Sequence, residues 1–263
     1  MKIADAFAKA AAENRAAFIA YLPAGYPTVE QSYDLVAALV EGGADIVEVG
    51  MPYSDPVMDG PVIQRAVEES LRAGTTMSDA IAIAGVASQA GAAGCVMSYW
   101  NPIEQYGITR FCNDFASAGG AGVITPDLSP AEAESWNEQT LQTGIERVFL
   151  VAPSSTDARL ATVTGVCTGF VYAASTMGIT GNTIEVGDTA RTLVARTREH
   201  TTRPVAVGLG VSTATQVAAI AEYADGVIVG SAFIRAIEAC NSHSERVAAV
   251  RDLARELSAG TQR

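Results

Sequence analysis

Short runs of Val, Ile and aromatic residues alternate with longer stretches in which apolar residues recur every three or four positions, from one end of the chain to the other. The short runs predict strands at Ala17–Leu22, Asp45–Gly50, Gly94–Tyr99, Gly122–Thr125, Arg147–Val151, Gly169–Ser175, Pro204–Val207 and Gly226–Val229, each bounded by Gly, Pro or Asp. The longer stretches predict helices such as Thr28–Glu41, Met77–Ala90, Ala131–Thr143, Val186–Glu199 and Thr213–Ala221, with Asp188 and Ser212 as cap or first-turn residues of the last two. Gly42-Gly43, Gly91 and Gly119-Gly120 fall where a helix hands over to the next strand. Strands at a period of roughly 30 residues, each followed by a helix, predict an α/β fold, the (β/α)8 TIM barrel, with an extra N-terminal helix. An open doubly wound sheet competes, but no G-x-G-x-x-G follows the first strand. No linker or charge run divides residues 1–263, so a single barrel domain is expected.

In such a barrel the active site is built from the loops at the carboxyl ends of the strands. The second strand, Asp45-Ile-Val-Glu-Val-Gly50, puts Val47 and Val49 on one face and Ile46, Glu48 and Gly50 on the other. Two valines suit the face that meets the outer helices, which turns Glu48 into the barrel interior. Partial desolvation there raises a carboxyl pKa and suits acid–base work near neutrality. A structural glutamate satisfied by backbone donors is the alternative.

The following loop, Met51 to Pro61, carries three prolines and the acids Asp55 and Asp59. Asp59 is expected in a wetter setting than Glu48, so that the two carboxyls ionise at different pH and one stays charged while the other moves a proton. Asp59 before Gly-Pro also reads as a simple turn former. Alternation along the sixth strand aligns Phe170, Tyr172 and Ala174; Tyr172 then either orients a substrate at the mouth or packs there. Thr176–Asn182, with Gly178 and Gly181, has the composition of a lid. Gly208-Leu-Gly210 and Gly230-Ser231 end the last two strands, where this fold commonly holds phosphate.

Composition narrows the chemistry. A net charge of −12 argues against a nucleic-acid or anionic-membrane partner, which would need a basic face. No apolar run reaches the roughly 20 residues that span a bilayer, and an acid interrupts the N-terminal segment, so a cytoplasmic location is expected. Lys2 and Lys9 are the only lysines and precede the first strand, which argues against an imine-forming lysine. His200 and His243 lie late on polar helical segments, and Cys95, Cys112, Cys167 and Cys240 are scattered, so no metal site is expected and the cysteines read as reduced thiols. Carboxylates, hydroxyls and backbone remain.

The segment Glu48-Val-Gly-Met-Pro-Tyr-Ser-Asp-Pro-Val-Met-Asp-Gly-Pro-Val-Ile-Gln64 resembles the signature of the tryptophan synthase alpha subunit. The likeness extends to Tyr21–Pro27, Ser98–Pro102, Pro126–Leu128, Gly178–Gly181, Gly208–Gly210 and Gly230–Ala232, in order along the chain. The resemblance implies a carbon–carbon lyase that cleaves indole-3-glycerol phosphate to indole and glyceraldehyde 3-phosphate, a retro-aldol reaction without a cofactor. It implies Glu48 as acid and base, Asp59 stabilising charge at the indole nitrogen, and Tyr172 supporting the substrate. Phe18, Met97, Tyr99 and Val151 would line the indole pocket, Gly181, Gly210, Gly230 and Ser231 would bind phosphate, and Thr180 would meet Asp59 on lid closure. A beta subunit carrying pyridoxal phosphate would be the partner, in an alpha2beta2 assembly, facing the Pro52–Pro61 loop and the surface near Asn101-Pro102. Phe170 and Asn182-Thr183 depart from the family pattern, where a second tyrosine and Ala-Arg are common. A stand-alone lyase and a non-catalytic regulatory subunit are the rival readings.

Overall fold

The computed structural model describes residues 1–174, 183–208 and 210–263, with the side chains of 183–187 outside that description. Eight parallel strands close into a barrel in chain order: β1 Ala17–Pro23, β2 Ile46–Gly50, β3 Ala93–Met97, β4 Gly122–Ile124, β5 Glu146–Val151, β6 Val171–Ala174, β7 Val205–Gly208 and β8 Gly226–Val229. The helices are α1 Ile3–Ala12, α2 Val29–Glu41, α3 Pro61–Arg72, α4 Met77–Gln89, α5 Trp100–Tyr106, α6 Ile108–Ser117, α7 Glu134–Thr143, α8 Asp157–Val166, α9 Thr183–Arg198, α10 Ala214–Ala221, α11 Ser231–Glu238 and α12 His243–Ala259. The predicted TIM barrel is the observed one. Its strands are buried on both faces, which is why they read as nearly continuous apolar runs.

Period-two alternation sorts each strand between two cores. Val47, Val49, Val96, Phe149, Val207 and Val227 face outward and pack under the helices. Ala17, Ile19, Ile46, Ala93, Cys95, Val148, Phe170, Ala206 and Ile228 face inward and fill the barrel. Each fully buried Ile or Phe stabilises the fold by about 1.5–3 kcal/mol.

The extra N-terminal helix closes the lower end. Ile3, Ala6, Phe7 and Ala10 on one face of α1 join the inner core, and Phe7 lies 5.5 Å from the Phe170 ring. The Ile3 N–H donates to the Glu146 carboxylate at 2.7 Å, which fixes α1 on the barrel. A negative charge at a helix start is also favoured by the helix dipole. With that end filled, the carboxyl ends of the strands are where the barrel interior opens.

Beside α1, the Arg15 guanidinium grips Asp45 at the start of β2, with Nη2 2.8 Å from one carboxylate oxygen. The other oxygen accepts from the Phe18 N–H at 2.9 Å. Strand order 1–2 is thus fixed by a buried, fully engaged charge pair as well as by the ladder.

Helix starts are set locally. Thr28, Thr76, Thr156, Thr213 and Ser242 cap α2, α4, α8, α10 and α12 by accepting a backbone N–H. α11 differs: its cap is Gly230, which has no side chain to offer.

Candidate active site

A cavity of about 560 Å³ opens at the carboxyl ends of the strands. Its floor and walls include Tyr21 of β1, Glu48 of β2, Met97 of β3, Leu150 of β5, Tyr172 of β6 and Ile228 of β8. Its rim includes Asp59 and Gly60, and one side is formed by Gly208, Gly210, Gly230 and Ser231.

Glu48 has no exposed surface, and neither carboxyl oxygen has a hydrogen-bond partner. Buried polar groups are nearly always paired, so an unpaired carboxyl facing a cavity calls for an explanation. Desolvation pushes its pKa up to about 8. The carboxyl is therefore mostly protonated at neutral pH, a proton donor held in an apolar wall.

Asp59 reaches the same cavity from the loop between β2 and α3. It is half-buried rather than wet, and burial pushes its pKa up to about 6. The expected order of ionisation stands, with Asp59 first, but both values lie higher than a solvated loop would give. The cause is packing around the loop. The Tyr99 hydroxyl accepts the backbone N–H groups of Val57 and Met58, both at 2.9 Å, and its ring stacks on Tyr53 at 5.1 Å. Tyr99 is not among the cavity-lining residues; it holds the segment that presents Asp59.

Tyr21 and Tyr172 flank the carboxyl. Burial, with the charges of Asp59 and Glu48 nearby, raises both phenols well above their ordinary value, so they stay neutral donors. Two glycines make room for their rings. A Cβ on Gly50 would fall within 2.6–2.7 Å of Tyr21 ring carbons, and one on Gly208 within 2.6 Å of the Tyr172 hydroxyl.

Besides Tyr99, two more residues expected in the pocket, Phe18 and Val151, do not line it. Both point outward into the helix-facing core, Phe18 against Phe233 at 6.4 Å. Their neighbours Tyr21 and Leu150 line the cavity instead. The register carries the signal that finds them: Tyr21 pairs with Glu48 and Leu150 with Tyr172, so each shares its partner's face. Met97, Tyr172, Gly210, Gly230 and Ser231 do line the cavity. Thr180, Gly181 and the lid segment lie outside the described residues. Arg235, which motif reading passed over, lies in the wall on the Ser231 side. Among the described residues no group of His, Cys, Asp and Glu is placed to hold a metal.

The family model described as tryptophan synthase alpha chain matches residues 7–262. The chain belongs to the tryptophan synthase alpha chain family. Members of that family are lyases of the tryptophan synthase reaction. The alpha chain of Thermobifida fusca is 53% identical over 97% of this chain and 96% of its own length, and that of Acidothermus cellulolyticus 50% identical over 99% and 97%. Among solved structures, tryptophan synthase from Mycobacterium tuberculosis superposes with a TM-score of 0.92 at 48% identity, over 99% of this chain and 98% of that one. The alpha subunit from Legionella pneumophila gives 0.86 at 29% identity, over 98% of each. The site described above is thus the carboxyl-end cavity of a tryptophan synthase alpha-family barrel. No helix among the described residues is long and apolar enough to cross a membrane.

Proposed function

We propose that the chain cleaves indole-3-glycerol phosphate to indole and glyceraldehyde 3-phosphate, with Glu48 as the acid and base and Asp59 as the counter-charge for the indole nitrogen. The observation that carries this reading is the buried, unpartnered Glu48 carboxyl facing a cavity that also holds Asp59. Protonated Glu48 gives its proton to indole carbon 3. The ring becomes an iminium whose positive charge sits at nitrogen, opposite ionised Asp59. The Glu48 carboxylate then takes the proton of the hydroxyl on the adjoining side-chain carbon. That carbon becomes the aldehyde, the carbon–carbon bond breaks, and its electron pair returns to the ring nitrogen. Glu48 ends protonated, ready for the next turnover.

A carboxyl with a pKa of about 8 beside one of about 6 supplies the required pair, one protonated and one ionised near neutrality. Met97, Leu150 and Ile228 give the indole an apolar berth, and the Tyr21 and Tyr172 phenols are neutral donors beside it. The phosphate is read into the side formed by Gly208, Gly210, Gly230 and Ser231. There α11 begins on a glycine cap whose first-turn N–H groups no side chain satisfies. Gly181 and Thr180 join this reading by resemblance alone.

The family name supports a tryptophan synthase beta subunit as partner, in an alpha2beta2 assembly in the cytoplasm, reached through the Pro52–Pro61 loop and the Asn101-Pro102 surface. The chain itself is read as one domain needing no cofactor. The test is indole release from indole-3-glycerol phosphate by the purified chain, with and without a beta subunit. Release that rises on adding the beta subunit supports the full reading. High release that a beta subunit leaves unchanged makes the chain a stand-alone lyase, and no release under either condition overturns catalysis.

A further inference from the structure

Among the described residues, the wall of the active-site cavity contains two acids, Glu48 and Asp59, and a single cation, Arg235. A substrate bearing a phosphate dianion would enter that cavity against the field of Asp59 and of a chain with net charge −12. Arg235 is exposed and its guanidinium has, among the described residues, neither an ion-pair nor a hydrogen-bond partner. That sets it apart from the arginines at the other end of the barrel. There Arg15 is held by Asp45, Arg198 by Asp225 and Arg263 by the carbonyls of Ala221 and Ala224.

Its position follows from helix geometry. Arg235 is four residues after Ser231 on α11, so the two side chains lie on one face. Side chains on a helix lean toward its N-terminus, which carries the Arg235 guanidinium back over the turn that begins at Gly230. The same turn lacks a side-chain cap. A guanidinium and the first amides of α11, which no side chain caps, therefore meet at one end of one cavity, and a phosphate presents oxygens that match both.

We propose that Arg235 is a substrate-binding residue that draws in and grips the phosphate of the substrate. It rests on the reading of the cavity as an indole-3-glycerol phosphate site. The α11 amides fix the phosphate from below, while Arg235 closes over its outer oxygens and offsets the acids of the wall. Its contribution is to capture rather than to the proton transfers, so it acts on KM.

The test compares wild type, Arg235→Ala and Arg235→Lys, with folding checked by circular dichroism melting. Arg235→Ala should raise KM for indole-3-glycerol phosphate about tenfold, the loss expected for one charge-assisted contact at a partly exposed site, with kcat changed less than threefold. It should also flatten the fall of kcat/KM with rising salt, and Arg235→Lys should restore that slope because the charge is kept. The KM penalty should be several times larger for the phosphorylated substrate than for its dephosphorylated counterpart. An unchanged KM, or an equal penalty on both substrates, overturns the proposal, the latter by showing a merely structural role. Should the wild type release no indole, the proposed reaction falls and Arg235 is decided separately by calorimetry with inorganic phosphate. Weaker binding by Arg235→Ala than by wild type then supports the phosphate contact, and equal affinities overturn it.

Discussion

Tyr21 stands opposite Glu48 in the register of two adjacent parallel strands, and both side chains enter the same cavity. Leu22 and Val49, the next pair along, face the helices instead. One shared parity therefore delivers an acid and a phenol to the catalytic end of the barrel while the alternate residues build the outer core.

The two carboxyls set the pH dependence. The proposed mechanism needs Asp59 ionised and Glu48 protonated in the free enzyme, so kcat/KM should fall below about pH 6 and again above about pH 8. The alkaline limb is the diagnostic one, because the second ionisation of a phosphate ester also lies near pH 6, on the order of Asp59's own value. A kcat/KM profile that stays flat through the alkaline range would exclude Glu48 as the initial proton donor.

Glu48 also links stability to pH. Its folded pKa is about 8 against an ordinary 4.5. Between those values the folded chain binds a proton that the unfolded chain has released, so stability falls as pH rises through that window. At about 1.36 kcal/mol per unit the loss is on the order of 3–5 kcal/mol. Glu48→Gln removes it, while the contributions of Asp59 and Glu146 stay in both proteins. Urea unfolding below 4.5 and above 8 should show Glu48→Gln gaining on wild type by that amount at the higher pH. A constant gap between the two proteins would mean that the carboxyl is hydrated in solution.

The barrel was legible from periodicity alone, because eight apolar runs separated by amphipathic helices leave few architectures open. Glu48 was legible too: a single polar residue among valines fixes the parity of its strand. β1 and β5 have no such marker at their carboxyl ends. Nothing in their alternation marks which parity faces inward, and the family resemblance pointed to Phe18 and Val151 where Tyr21 and Leu150 are the cavity-lining residues. Only the strand register resolves this. The partial burial of Asp59 depends on Tyr99, about 40 residues away in sequence, gripping the loop. Arg235 belongs to no motif, and its signal is its four-residue spacing from Ser231.

Tyr99→Phe should separate loop order from fold stability. The change strands the N–H groups of Val57 and Met58. Each lost bond costs about 0.5–1.5 kcal/mol, and water recovers part of that at the half-exposed loop. Asp59 is then held less tightly, so kcat/KM should drop about tenfold, the effect expected for a loosened catalytic group. The thermal midpoint should move little. Equal kinetics for both proteins would show that the Tyr53 stack alone holds the loop.

Gly208→Ala tests the space under Tyr172. The added Cβ would lie 2.6 Å from the phenol oxygen and 3.1 Å from a ring carbon. The new Cβ would overlap the half-buried ring, so the ring must shift, and overpacking of this kind typically costs about 1–3 kcal/mol. Since Tyr172 lines the cavity, substrate affinity should suffer along with stability. A variant with wild-type KM and melting point would mean that the ring has slack, and Tyr172 would then lose its assignment as a support for the substrate.

Arg15→Met addresses the opposite end, where no catalytic role is assigned. Removing the guanidinium leaves Asp45 buried with only the Phe18 N–H as partner. An uncompensated buried charge destabilises by about 3–5 kcal/mol, whereas replacing both partners by apolar residues is often neutral. Arg15→Met should therefore unfold at markedly lower urea concentration, and the double change Arg15→Met with Asp45→Leu should recover much of the loss. kcat and KM below the transition should stay close to wild type, because the pair sits at the lower end of the barrel, near α1. If the single variant is as stable as wild type, Asp45 must find water or take up a proton, and the pair does not hold β1 and β2 together.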